Sequence, residues 1–75
     1  MIATQHATAA RMLREQSYAT LADLATAMRV TNHEAAEFLR DPIVRDRLAR
    51  MVGARRVSYT RSKRHLAYDR VEAVF

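Results

Sequence analysis

Seventy-five residues suffice for one small domain, and a domain of that size buries too little surface to be very stable alone, so a partner subunit is expected. Hydrophobic residues make up 49%, with one Gly and one Pro, which excludes a disordered tail and suits a largely helical fold. The absence of Cys excludes disulfides and Cys-based zinc sites, and the net charge of +5 is uneven, with −1 over residues 1–39 and +6 over residues 40–75.

In chain order, TQHATAARMLREQS spaces Ala9, Met12, Leu13 and the aliphatic part of Gln16 at helical intervals, which predicts a first helix over about 4–16. Thr20 followed by Asp23 reads as a helix start, and Leu21, Leu24, Ala25 and Met28 form an apolar stripe, giving a second helix over about 20–29. Thr31 or Asn32 can cap a third helix over about 32–40, with Ala35, Phe38 and Leu39 facing inward. A fourth, over about 42–52, has Asp41 as cap, Pro42 in the first turn, a buried face of Val44, Leu48, Met51 and Val52, and Gly53 at its stop.

The remaining stretch alternates. Val57 and Tyr59, then Leu66 and Tyr68, show the period of two half-buried strands, and the pairing Tyr59 with Leu66 and Val57 with Tyr68 predicts a hairpin over about 56–71. Arg61, Lys63 and Arg64 then sit in a four-residue turn, RSKR, as a mobile cationic fingertip. The tail VEAVF either offers a dimer surface together with the first and fourth helices or packs on the first helix. The expected fold is mainly α with a C-terminal β-hairpin, in a single domain spanning 1–75.

This order of elements resembles the winged helix-turn-helix domains of small bacterial, phage and plasmid transcription regulators, with LADLATAMRVTNHEAAEFLR as the helix-turn-helix. Leu24 and Ala25 match the apolar and small positions of the family's first helix, Met28 and Val30 flank the turn, and Ala35 and Phe38 match the inward positions of its second. Arg29 occupies the turn position that the family usually fills with Gly. The resemblance implies that the third helix enters the major groove of double-stranded DNA, with Thr31, Asn32, His33, Ala36, Glu37 and Arg40 facing the bases. It implies that the hairpin is the wing, contacting the DNA backbone through Arg61, Lys63 and Arg64, while Arg45, Arg47, Arg50, Arg55 and Arg56 supply further backbone contacts. A second register remains open, in which the fourth helix is the reader and carries Arg45, Arg47 and Arg50 into the groove.

Other chemistry is sparse. HEAAE differs from the zinc helix HExxH at its last position, where Glu37 replaces the second His, so no metal is expected, and no Gly-rich phosphate loop is possible with Gly53 as the one glycine. His6 and His65 read as surface residues. The first residues lack a basic segment followed by an apolar one, and no apolar run is long enough to span a membrane, so a cytoplasmic protein is expected. The function expected is a DNA-binding, homodimeric transcriptional repressor without enzymatic activity or cofactor. The alternative is a protein-protein interaction module on the same scaffold, such as a small phage or accessory protein that binds a host complex.

Overall fold

Three helix starts follow from three side chains. Thr20 Oγ1 accepts the Asp23 amide at 3.2 Å, Asp41 Oδ1 accepts the Ile43 amide at 2.9 Å, and Thr31 and Glu34 exchange hydrogen bonds, the Glu34 amide to Thr31 Oγ1 at 3.1 Å and the Thr31 amide to Glu34 Oε1 at 3.0 Å. Thr31, not Asn32, is therefore the cap of the third helix. The computed structural model describes residues 3–75, and its elements in order are α1 (Ala3–Gln16), β1 (Tyr18–Thr20), α2 (Leu21–Met28), α3 (Asn32–Leu39), α4 (Pro42–Val52), β2 (Arg56–Thr60), a 3-10 turn (Leu66–Tyr68) and β3 (Arg70–Val74). All four expected helices are present within a residue or two at each end.

The helices close on a core with small side chains at its contacts. Ala9, Ala10, Ala25, Ala35, Ala36 and Ala49 are all buried, so the helix backbones approach closely around Leu13, Leu21, Leu24, Leu39 and Leu48. Ala36, expected to face a groove, belongs to this core, and Met51, expected inside, is 39% exposed while Ala49 takes the inward place. His6 is half-buried and stacks on Phe38 with 4.8 Å between ring centroids, which removes it from the open surface.

The strands form one antiparallel sheet in the order β1-β3-β2, so β3 is central. The expected hairpin register does not occur: Tyr59 pairs with Val71 and Val57 with Ala73, and the connection runs from 61 to 69 instead of over four residues. Two segments, LAYD and VEAV, carry the same alternation. The second wins because the central strand needs inward residues that fit under the helices, and Val71 and Ala73 are buried there whereas Tyr68 is 59% exposed. The three-residue β1 pairs Ala19 with Val71 and shields the other edge of β3. The tail is the central strand of the sheet and touches α1 as well as pairing with β1 and β2: Val71 and Ala73 are buried, Val74 is half-buried and Phe75 is 56% exposed.

Three helix ends among the described residues turn at positive φ, the first at Ser17, which follows α1 at φ 67° with its amide donating to the Leu13 carbonyl at 3.0 Å. Arg29 closes α2 at φ 60°, ψ 44°, its amide donating to the Ala25 and Thr26 carbonyls, and Gly53 closes α4 at φ 76°. An L side chain at such φ costs about 1–2 kcal/mol, so Arg29 is strained where Gly53 is relaxed. Arg29→Gly is expected to raise stability by roughly 0.5–1 kcal/mol. Gly53→Ala is expected to lower it by about 1 kcal/mol through backbone conformation alone, since a Cβ there meets no atom within 4 Å. Urea midpoints at constant slope measure both.

Candidate nucleic-acid interface

Asp69 is 2% exposed and, among the described residues, is the one buried charged side chain. It lies at the end of the 61–69 loop and gathers donors from three places: the Tyr59 hydroxyl at 2.6 Å from β2, the Ser62 amide at 2.8 Å from the start of the loop, and Arg40 Nη2 at 3.1 Å from the end of α3. The Arg40 guanidinium also lies 5.3 Å from the centre of the Tyr59 ring. The Asp69 backbone carbonyl accepts the Leu21 amide at 2.7 Å, so α2 joins the same point. Burial pushes the Asp69 carboxyl up, but donation from Tyr59, the Ser62 amide and Arg40 outweighs it and holds the group below the usual carboxylate range. Burial, followed by donation to Asp69, pushes the Tyr59 hydroxyl up to about 12.

The loop above this point is shaped by short polar contacts. Ser62 Oγ accepts the Arg64 amide at 3.0 Å, and His65 Nδ1 accepts the Ala67 amide at 3.0 Å, which starts the 3-10 turn. Arg61, Lys63 and Arg64 are exposed on it, with the Arg64 guanidinium 5.6 Å from the exposed Tyr68 ring centre.

The remaining expected residues divide into two sets. Thr31, His33 and Glu37 are exposed on α3 and Asn32 is half-buried at its first turn, with His33 Nε2 3.8 Å from Glu37 Oε1. Arg40 does not project with them: its guanidinium is bound to Asp69. Arg45 is half-buried, and its Nη2 reaches the Arg40 carbonyl at 3.4 Å. Arg45 and Arg56 line a cleft of about 230 Å³ between the start of α4 and β2, with Pro42, Asp46 and Val57. Arg50 pairs with Asp46 at 3.1 Å, both well exposed. Arg47 and Arg55 are exposed and, among the described residues, their side chains have no hydrogen-bond or ion-pair partner.

The arrangement therefore joins the end of α3 to the cationic loop through one carboxylate. Sequence reasoning missed Asp69, reading it as an outward residue of a strand. The signal that could have found it was its place as the lone acid of residues 55–71, the most basic stretch of the chain. Among the described residues no group of three or more His, Asp or Glu side chains could hold a metal ion, and no helix is long and apolar enough to cross a membrane. No known protein family matches the chain, and no curated protein or solved structure matches it. The reading of this surface rests on its own chemistry.

Asp69 and Tyr59 set opposite pH limits. Asp69 is held below its unfolded value, so its contribution is present above about pH 4 and is lost as pH falls through the folded value. Tyr59 is raised, so its contribution is complete below about pH 10, the unfolded value, and is lost as pH climbs towards about 12. Between those limits the contribution of this pair is constant, and on the alkaline side stability should fall by roughly 1–2 kcal/mol from Tyr59. In Tyr59→Phe the alkaline fall should shrink while the acid fall remains, as thermal melts across pH would show.

Proposed function

We propose that this chain is a winged helix-turn-helix protein that binds double-stranded DNA and acts as a homodimeric transcriptional regulator in the cytoplasm, with α2 and α3 as the helix-turn-helix and the 61–69 loop as the wing. One observation carries the reading: the loop that bears Arg61, Lys63 and Arg64 is tied by Asp69 and Arg40 to the end of α3, so a cationic finger lies beside an exposed polar helix. Duplex DNA has that combination of demands, phosphates to be neutralised and base edges to be read.

Roles follow from exposure. Thr31, Asn32, His33 and Glu37 are the base-reading candidates. Arg61, Lys63, Arg64, Arg47, Arg55 and Arg56 are the phosphate-facing ones. The α2–α3 register is preferred to α3–α4 because Arg29 makes the left-handed bend that a tight turn requires, while Arg45 and Arg50 have contacts within the protein. For assembly, Arg14 Nη2 donates to the Met51 carbonyl at 2.7 Å and the Arg55 amide to the Val74 carbonyl at 2.8 Å. These contacts gather α1, the end of α4 and the C-terminus at one end of the molecule, where Met51 and Phe75 are exposed, and this end is the proposed contact between two copies. The reading involves no catalysis and no cofactor.

A second reading, a module that binds another protein, is favoured by the exposed acids Glu34 and Glu37 on α3, which repel phosphates. Titration of a random duplex at several salt concentrations separates the two. Log affinity is expected to fall linearly with log salt, and changing Arg61, Lys63 and Arg64 together to Ala is expected to flatten the slope by roughly 0.9 for each phosphate that is no longer neutralised. An unchanged slope in a folded triple variant would remove the wing from binding, and a parent that ignores duplex DNA at low salt would favour the protein module. Asn32→Ala or His33→Ala should instead reduce discrimination between sequences and leave random-duplex affinity nearly unchanged.

A further inference from the structure

A buried carboxylate is a costly way to end a surface loop. Taking a charged carboxylate out of water is strongly unfavourable unless donors replace the water, and this one receives donors from β2, from the loop itself and from α3. The loop is pinched at both ends, because Ser62 near its start and Asp69 at its end share one hydrogen bond, which leaves the tip at residues 63–65 to project. That segment exposes Lys63, Arg64 and His65 and then turns back, with Leu66 packed against the core and the 3-10 turn against α2 and α3, and Arg61 adjoins its base. A flexible charged loop would serve simple attraction to a polyanion without any such anchor.

We infer that Asp69 is a positioning residue: its carboxylate latches the 61–69 loop to α3 and β2, so that Arg61, Lys63 and Arg64 meet a duplex as a fixed set rather than as mobile charges. The inference rests on the duplex-binding reading for its consequence, though the latch itself is a property of the free protein. Its physical basis is preorganisation. Side chains and backbone ordered before binding lose less entropy on binding, so the same three cations contact phosphates at lower cost. This replaces the mobile fingertip that the turn composition predicts.

The latch and plain electrostatics make opposite predictions for Asp69→Asn. The substitution removes one negative charge from a protein of net charge +5, so attraction alone predicts tighter binding to DNA. An Asn offers one acceptor oxygen to three donors, so the latch predicts a loosened loop and weaker binding. Random-duplex affinity is expected to drop by roughly three- to tenfold, with a salt slope changed by less than about 0.5 because every cation is still present. Exchange of the Ser62 amide, followed by NMR in the free protein, is expected to accelerate by roughly tenfold or more. The Ala73 amide, bonded to the Ser17 carbonyl at 2.7 Å in the sheet, should change much less and reports that the fold persists.

Equal or tighter binding by a folded Asp69→Asn variant overturns the inference, as does unchanged Ser62 exchange. If that variant does not fold, Tyr59→Phe removes one donor hydroxyl, keeps the ring and the net charge, and is expected to move both readouts in the same direction by a smaller factor. Unchanged Ser62 exchange and affinity in Tyr59→Phe would then count against the latch. A parent that binds no duplex, with Ser62 exchange still accelerated in the variant, would reject the duplex reading and leave the latch standing.

Discussion

A single buried charge, Asp69, is the constraint on which the arrangement of the exposed surface depends. Its side chain and backbone together hold the start of α2, the end of α3, the end of β2 and the start of the projecting loop. A charge in that position is stable only if its donors are all in place, so the geometry of four elements becomes one condition. The consequence is directional: the loop cannot swing away from α3 without stranding Asp69, Arg40 and Tyr59 together.

The apolar core makes that condition achievable in a chain this short. Alanines at the helix contacts let α1, α2, α3 and α4 approach closely, and Val71 and Ala73 let the central strand lie beneath them. Larger side chains in place of those alanines would force the helices apart. The small core and the polar latch are two parts of the same solution, one bringing the elements near and the other setting their angle.

The charge of the chain divides by use. Arg40 and Arg70 are turned inward or across the sheet, with the Arg70 guanidinium 4.1 Å from the Tyr18 ring centre, and Arg14, Arg45 and Arg50 bind carbonyls or a carboxylate. Arg61, Lys63, Arg47 and Arg55 keep their side chains exposed without hydrogen-bond or ion-pair partners among the described residues. The formal net charge therefore overstates what the surface offers to a polyanion, and the exposed cations without such partners also include Arg11, Arg29, Arg56 and Arg64, so they extend from α1 and the end of α2 to the loop.

The helices were legible in the sequence because their signals are local: Thr20, Thr31 and Asp41 act on amides two or three residues away, and Pro42 and Gly53 act on their own backbone. An amphipathic stripe such as Leu21, Leu24, Ala25 and Met28 likewise needs no knowledge of its partner. The sheet was only partly legible. LAYD and VEAV have the same alternation, and the choice between them was made by the space under the helices and by β1, a three-residue strand too short to carry a pattern of its own. The 61–69 loop, the inward turn of Arg40 and the burial of Asp69 belong wholly to tertiary structure. A carboxylate next to cations in sequence is ordinary surface chemistry, and it becomes an anchor only when residues 29 and 10 positions away bring their donors to it.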